Sequence, residues 1–242
     1  MKKFKSLVIV DDTGIEEFVM KALEQTAEKI TCYAESPSGT EELIERMRDA
    51  EAVLLSWRTT LSEETLAQCP NLRYIGLCCT YFDDKSCNVD ISACRERDVT
   101  ITGVNHYGDY GVVEYVFSEL IRMVKGLGSI AFYPEQRELR RMKLGIIGLG
   151  TVGAMIADAG AFFGMDAAYF NRRKKTDCPY PYMEKAELLE KSEVIVPCVP
   201  RNQSVMERED FAHLGAHKIF VNVGVGGSFE QSAFAEWISG GG

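Results

Sequence analysis

Long apolar runs, an excess of basic residues and low-complexity segments are all missing from this chain of 242 residues. No apolar run approaches the roughly 18 residues that a membrane-spanning helix needs, and the short run at 7–10 predicts a buried strand, not a signal peptide. The 27 Lys and Arg are outnumbered by 36 Asp and Glu, which disfavours binding to nucleic-acid phosphates. With 46% hydrophobic residues the chain is expected to fold, as a soluble protein with neither a membrane nor a nucleic-acid partner.

Metal-binding and disulfide patterns are also lacking. The chain contains no C-x-x-C pair and only three histidines, His106, His213 and His217. Adjacent Cys78 and Cys79 raise the possibility of a metal or redox cluster, but zinc sites use paired short spacings and usually histidine. Most of the eight cysteines lie in apolar runs, as reduced core thiols do. We therefore expect no metal and a reducing, cytoplasmic location.

Short strand-like segments alternate with amphipathic helical ones, which predicts an α/β protein with parallel sheets. The first part of the chain shows strands at 5–10, 30–34, 52–56, 72–77 and 99–102. Helices are expected between them at 15–29, 40–49, 62–68 and 91–97, with Ser62 as an N-cap. The helix at 15–29 would carry Phe18, Ala22, Leu23 and Ala27 on one face. A turn-rich segment at 105–111 then precedes a long apolar helix at 112–125, and we place a domain boundary near residue 108.

A glycine-rich turn follows the next predicted strand, at 143–147. Gly148, Gly150 and Gly153 form G-x-G-x-x-G before a helix at 151–163 that is rich in small residues. The first glycine permits a tight turn, the second lets the backbone approach a diphosphate, and the third allows close packing of helix and strand. Residues 148–153, which include Leu149, Thr151 and Val152, thus predict a dinucleotide site of the Rossmann type. A glycine turn without a ligand is the alternative.

The strand at 166–170 ends in Asn171, Arg172 and Arg173, where an NAD-specific site would carry Asp or Glu for the ribose hydroxyls. Because two arginines can hold a 2′-phosphate, the segment favours NADP(H) over NAD(H). A solvated basic turn is the other interpretation. Strands at 193–196 and 217–223 complete a doubly wound pattern, and ligands bind at the carboxyl ends of such strands. Further cofactor contacts are therefore expected from the residues that end these strands: Cys198, Val199, Pro200, Val223 and Gly224.

Several segments together resemble the D-isomer-specific 2-hydroxyacid dehydrogenase family along nearly the whole chain. They are residues 66–77, Asn88-Val89-Asp90, Val112-Val113-Glu114 and residues 145–150. The resemblance implies a flavodoxin-like substrate domain at 1–108 and a Rossmann NAD(P)-binding domain at 109–242, incomplete at its C-terminus. It also implies hydride transfer between NAD(P)H and a small 2-oxo or D-2-hydroxy acid, and a homodimer joined through the cofactor domain.

The same resemblance implies that backbone N–H groups around Cys78, Cys79 and Thr80 hold the substrate carboxylate, although residues 81–87 resemble an insertion in this loop. Arg58, at the end of the strand 52–56, is a second candidate for the carboxylate. An exposed surface arginine is an equally good interpretation of Arg58.

Two departures from the family concern the chemistry. Where the family has Asn, two small residues, Arg and Gly, this chain has Asn222-Val223-Gly224-Val225-Gly226, so Val225 stands at the position of the arginine that polarises the substrate carbonyl. The family's paired Glu and His would fall after residue 242, none of the three histidines matches that role, and no catalytic residue is assigned. Either an oxidoreductase or a catalytically silent NADP-binding module fits this pattern.

A doubly wound domain is expected to continue beyond residue 242, because stopping there would expose a sheet edge. Three explanations stay open: the chain is shortened, a further tail follows, or an oligomer covers the sheet edge.

Overall fold

The first part of the chain folds around a five-stranded parallel sheet with the strand order β2-β1-β3-β4-β5. The computed structural model describes residues 3–81, 83–129, 131–200, 203–224 and 226–241. The chain divides into two units, Met1–Tyr107 and Gly108–Gly242. Elements of the first unit are β1 (Phe4–Ile9), α1 (Glu17–Leu23), β2 (Ala27–Cys32), α2 (Thr40–Met47), β3 (Ala52–Leu55), α3 (Glu63–Ala67), β4 (Tyr74–Leu77), α4 (Ile91–Glu96) and β5 (Thr100–Gly103). This strand order is that of the flavodoxin-like fold.

Apolar side chains on both faces of this sheet are buried, as the short apolar runs predict for parallel strands. Ile9, Val53 and Ile75 are fully buried. The predicted N-cap is confirmed, because the Ser62 hydroxyl accepts a hydrogen bond from the Thr65 N–H at 3.3 Å. The carboxyl ends of β1, β3 and β4 therefore lie at one edge of a firmly packed sheet.

The predicted helix at 15–29 is too long, because only Glu17–Leu23 is helical. Helix α1 ends at Leu23, Ala27 already belongs to β2, and Phe18 is 70% exposed. The Thr26 N–H and hydroxyl both bond to the Leu23 carbonyl and close the helix there. Ala27 then pairs with Phe4 in the sheet. Pairing with β1 outweighs the helical periodicity, since strand preference depends on tertiary context.

The second unit contains a four-stranded parallel sheet with the order β7-β6-β8-β9. Its elements are α5 (Asp109–Val124), β6 (Lys143–Ile147), α6 (Thr151–Phe162), β7 (Asp166–Phe170), α7 (Lys185–Lys191), β8 (Val194–Pro197), α8 (Arg208–Leu214), β9 (Ile219–Phe220) and α9 (Gln231–Ser239). Tyr182 adds a single parallel bridge to Tyr169 on the outer side of β7. Counting this bridge as a minimal third strand gives the order 3-2-1-4-5 of a Rossmann fold.

Strand β9 is much shorter than the predicted 217–223 and covers only Ile219–Phe220. One further bond, from the Val221 N–H to the Ile195 carbonyl, continues the ladder. The following residues turn away because the Asn222 side chain bonds to carbonyls of its own loop. No helix in the described parts of the chain is long and apolar enough to cross a membrane.

Candidate functional site

The glycine turn between β6 and α6 requires two of its glycines for its own geometry. Gly148 has a φ of 97°, and a Cβ at this position would lie 2.5 Å from the Cys198 carbonyl oxygen. A Cβ on Gly153 would lie 2.2 Å from the Gly148 carbonyl oxygen. A Cβ on Gly150, by contrast, would meet no atom within 4 Å. Gly150 therefore borders open space beside a turn that the other two glycines allow to close.

The first turn of α6 offers amide donors to this space. Gly150 is the N-cap and has no side chain with which to cap the helix, and the first turn carries no acidic residue. The first N–H groups of a helix have no intrahelical acceptor and carry partial positive charge, so they bind anions. Thr151 is exposed and Val152 half-buried at this tip. An open glycine next to uncapped amides of a 12-residue helix fits the diphosphate of a dinucleotide.

Leu149 and Asn171 shape the turn. The Leu149 N–H donates to Asn171 Oδ1 at 2.7 Å, and the Gly148 N–H donates to the Phe170 carbonyl at 2.9 Å. Leu149 is also buried. The Leu149 amide is thus not a donor for a ligand, and Asn171 keeps only its side-chain NH₂ group for a ribose.

The basic segment after β7 lies in solvent. Arg172 and Arg173 are both exposed, and no carboxylate within the described ranges forms an ion pair with either. Lys174 lies 5.9 Å from the centre of the Tyr182 ring. Two arginines without an acidic partner, next to the turn through Asn171, suit a phosphate better than a neutral ribose hydroxyl.

The residues that follow β8 and β9 lie at the carboxyl edge of the second sheet, as does the glycine turn after β6. Cys198, Val199 and Pro200 are half-buried, and the Cys198 N–H donates to the Ile147 carbonyl at 2.7 Å. Burial raises the pKa of the Cys198 thiol to about 12, so this thiol is protonated at neutral pH.

After β9, Val223 and Gly224 are also half-buried. Asn222 Nδ2 donates to the carbonyls of Gly224 at 3.2 Å and Gly226 at 2.7 Å. The Ser228 hydroxyl donates to Asn222 Oδ1 at 2.8 Å. This loop is closed by its own side chains, and Val225, the residue at the family's arginine position, lies outside the described residues.

The candidate carboxylate site in the first unit needs one correction. The Cys78 N–H donates to the Leu55 carbonyl at 2.8 Å and extends the pairing of β3 with β4, so it is not available to a substrate. Burial, together with the nearby Asp11, raises the pKa of the Cys78 thiol to about 11. Cys79 is buried and Thr80 half-buried at the end of β4. The amides of Cys79 and Thr80 stay as candidates.

The segment after Thr80 is tied to α4. The Tyr81 hydroxyl donates to Asp84 Oδ1 at 2.5 Å, and Arg95 lies 2.7 Å from Asp84 Oδ2. Asp83 Oδ1 accepts from the N–H groups of Lys85 and Ser86. Phe82 lies outside the described residues. The described residues of the segment that resembles an insertion are therefore held by hydrogen bonds to one another and to Arg95.

Arg58 lies on the loop after β3, with 46% of its side chain exposed. Its Nη1 donates to the Asp12 carbonyl at 3.1 Å and lies 3.9 Å from Asp12 Oδ2. The guanidinium also lies 5.1 Å from the centre of the Trp57 ring. Arg58 is thus at the carboxyl edge of the first sheet, partly neutralised by Asp12.

Sequence reasoning missed a buried polar network at this same edge. Asp11 is fully buried and accepts hydrogen bonds from Ser56 and Thr59, while Asn88 donates to the carbonyls of the same two residues. The position of Asp11, directly after the apolar run of β1, was the available signal, because it places a carboxyl group at the carboxyl end of a buried strand.

The three histidines lie at the surface. His106, His213 and His217 are all exposed, and His213 Nδ1 lies 2.8 Å from Glu190 Oε1. Among the residues that the structure describes, no three His, Cys, Asp or Glu side chains are close enough together to hold a metal ion.

Comparison with known proteins agrees with this geometry. The model of the D-isomer specific 2-hydroxyacid dehydrogenase catalytic domain matches residues 7–176, and that of the same family's NAD binding domain matches residues 123–241. A hydroxypyruvate reductase of Blautia hydrogenotrophica is 25% identical over 84% of this chain and 68% of its own length. A glyoxylate/hydroxypyruvate reductase of Arabidopsis thaliana is 24% identical over 78% of this chain and 62% of its own length. The matches therefore span about two thirds of these curated relatives.

Solved structures share the fold at lower identity. An acyclic imino acid reductase in complex with NADPH and D-Arg superposes with a TM-score of 0.82 at 20% identity, over 97% of this chain and 79% of that one. D-Lactate dehydrogenase from Aquifex aeolicus, complexed with NAD and lactic acid, gives a TM-score of 0.78 at 22% identity, over 98% of this chain and 74% of that one. The two α/β units, the glycine turn and the family matches lead to one conclusion: the chain belongs to the D-isomer specific 2-hydroxyacid dehydrogenase family and carries its NAD(P)-binding Rossmann domain.

Proposed function

We propose that this protein is an oxidoreductase that transfers a hydride between NADP(H) and a small 2-oxo or D-2-hydroxy acid. The observation that carries the proposal is the glycine turn, in which Gly150 faces open space beside the uncapped N-terminus of α6. In this proposal the glycine turn and the first turn of α6 hold the dinucleotide diphosphate with backbone amides. NADPH held there would supply the hydride that reduces C2 of a 2-oxo acid.

The preference for NADP(H) over NAD(H) is assigned to Arg172 and Arg173. Both are exposed directly after β7, and no acidic residue stands at the end of that strand to bind both ribose hydroxyls. A carboxylate there would repel a 2′-phosphate, whereas guanidinium groups form charge-assisted bonds with it. Asn171 orients this segment by bonding to Leu149.

The substrate carboxylate is assigned to the amides of Cys79 and Thr80, with Arg58 as the charged partner. The Cys78 amide is excluded because it belongs to the sheet. The curated relatives include reductases of hydroxypyruvate and glyoxylate, which are small 2-oxo acids, and this supports the substrate class.

A catalytically silent NADP-binding module is the second candidate. It is favoured by Val225, since an alkyl side chain cannot polarise a carbonyl group as the family's arginine does. Replacing Val225 by arginine distinguishes the two. If the unaltered protein binds NADPH without turnover and Val225→Arg gains reductase activity, the protein is the silent module.

We further propose a homodimer formed through the second unit, in a reducing cytoplasm. Large apolar side chains on α5 and α6 are exposed: Tyr110 by 77%, Tyr115 by 61% and Phe162 by 84%. Such exposure favours burial in an interface. Within the described ranges none of the eight cysteines forms a disulfide, which agrees with a reducing compartment. Analytical ultracentrifugation of the parent and of Phe162→Ser tests the dimer.

The experiment that tests the cofactor proposal compares NADPH and NADH. NADPH and NADH binding are titrated by fluorescence for the parent, Arg172→Ala, Arg173→Ala and Arg140→Ala, an exposed arginine of the same unit that serves as the control. Each of the first two variants should lose about tenfold in NADPH affinity, with NADH affinity unchanged, because charge-assisted hydrogen bonds contribute about 1.5–3 kcal/mol. Equal losses for both cofactors would refute the 2′-phosphate assignment. Steady-state assays with glyoxylate, hydroxypyruvate and pyruvate then measure turnover.

A further inference from the structure

The loop that carries Arg58 is held at both ends by the carboxyl group of Asp11. Asp11 Oδ1 accepts from the Ser56 N–H at 2.8 Å, and Oδ2 accepts from the Ser56 hydroxyl at 2.8 Å. Oδ2 also accepts from the Thr59 hydroxyl at 2.6 Å. All three bonds go to one segment, residues 56–59, and only Trp57 and Arg58 lie between its ends.

Asn88 holds the same two residues through their backbone. Its Nδ2 donates to the Ser56 carbonyl at 3.0 Å and to the Thr59 carbonyl at 2.6 Å. Its Oδ1 lies 3.8 Å from the Cys79 sulfur. Asn88 therefore links the loop of Arg58 to the loop whose Cys79 and Thr80 amides are the other candidate carboxylate donors.

A fully buried carboxyl group is costly unless hydrogen bonds compensate for its lost hydration. Asp11 receives three such bonds, all at 2.6–2.8 Å, and no arginine or lysine is among its hydrogen-bonded partners in the described parts of the chain. An apolar residue at the end of β1 would avoid the cost of burial but would leave residues 56–59 without this anchor. The hydrogen bonds of Asp11 thus fix the conformation of residues 56–59.

We propose that Asp11, together with Asn88, is a positioning residue that fixes Arg58 relative to the Cys79 and Thr80 amides, so that the three donors form one site for the carboxylate of a 2-oxo acid. This inference rests on the proposed function. Asp11 itself contacts no substrate. It acts through the segment 56–59, as supporting groups do around a binding site.

The test uses the full chain and oxamate, a non-reacting analogue of a 2-oxo acid. The variants are Asp11→Ala, Asp11→Asn and Asn88→Ala. Asp210→Ala is the matched control, because Asp210 is also buried and hydrogen-bonded but lies in the second unit, where it accepts from Lys185 and from the Glu207 N–H. Oxamate affinity is measured by calorimetry at saturating NADPH, NADPH affinity by fluorescence, and amide hydrogen exchange over residues 56–61 by mass spectrometry.

Asp11→Ala and Asn88→Ala should weaken oxamate binding by about tenfold or more, because small misplacements of a positioned group are costly. Their NADPH affinity should match that of the parent, and exchange over residues 56–61 should be faster. Asp11→Asn should recover most of the oxamate affinity, because its amide accepts from the Ser56 N–H and donates to the hydroxyl groups. Asp210→Ala should change neither oxamate binding nor this exchange.

Unchanged oxamate affinity in Asp11→Ala overturns the inference, and so does a parallel loss of NADPH and oxamate binding in Asp11→Ala, which would indicate a general loss of structure. A parent protein that binds no NADPH overturns the proposed function instead. In that case the exchange over residues 56–61 still decides whether Asp11 holds the loop, and unchanged exchange refutes it.

Discussion

Replacing Gly150 by alanine should separate cofactor binding from folding. Gly150 has a φ of −80°, and a Cβ there would meet no protein atom within 4 Å, so the folded chain accommodates alanine. Alanine is a poorer N-cap than glycine, but it also restricts the unfolded chain, and these opposing effects keep the change in unfolding free energy within about 1 kcal/mol. The added methyl group would occupy the space assigned to the diphosphate. NADPH affinity should therefore fall by tenfold or more, a loss of about 1.4 kcal/mol.

Gly39 provides the matched control. It is the N-cap of α2, and a Cβ there likewise meets no atom within 4 Å. Gly39→Ala should change stability by a similar amount and leave NADPH affinity unchanged. Urea unfolding measures the first quantity and fluorescence titration the second. If Gly150→Ala binds NADPH as tightly as Gly39→Ala does, the diphosphate does not approach Gly150 and the site is wrongly placed.

Four further outcomes follow from local contacts. Gly148→Ala should destabilise the fold by about 2 kcal/mol or more in urea unfolding, because a left-handed backbone and a contact with the Cys198 carbonyl both oppose a Cβ. Lys218→Met should lower the free energy of unfolding by about 1–3 kcal/mol, because Lys218 Nζ donates to the carbonyls of Leu189, Glu190 and Ser192 at the end of α7. An unchanged midpoint of urea unfolding would contradict this expectation. Hydrogen bonds from the Ser38 hydroxyl and N–H, and then from Arg46, lower the pKa of Glu42 from 4.5 to about 2, so its contribution to stability is present above pH 4.5 and is lost as the pH falls towards 2. Parent and Glu42→Gln should accordingly differ in thermal midpoint at pH 7 and converge on acidification. Iodoacetamide at pH 7.5 should alkylate exposed Cys32 before Cys78 or Cys198, whose raised pKa values keep them protonated, and early labelling of either would refute their burial.

Sequence reasoning was most accurate where the signal is local. The bounds of β6 and β7 agree with prediction, and the glycine turn lies between β6 and α6 as its spacing requires. These segments combine apolar runs with nearby glycines or charged ends, so a few neighbouring residues determine the structure.

Contacts between distant residues were not predictable in the same way. The predicted helix at 15–29 extends too far because its last residues pair with β1 as the start of β2. The bonds of Asp11 to Ser56 and Thr59 span 45 and 48 positions, and the bond of Asn171 to Leu149 spans 22. Residue types gave no indication of these partners, which depend on which strand ends are neighbours in the folded sheets.

The glycine turn is held in place by contacts within the protein. Two of its amides already have acceptors, at Phe170 and Asn171, and Gly153 lies against the Gly148 carbonyl. Little conformational entropy is then lost when a dinucleotide binds, and association need not wait for a loop to rearrange. With the diphosphate site already formed, differences in the release rate of bound dinucleotides would consequently be expected to come from contacts to their nicotinamide and ribose ends.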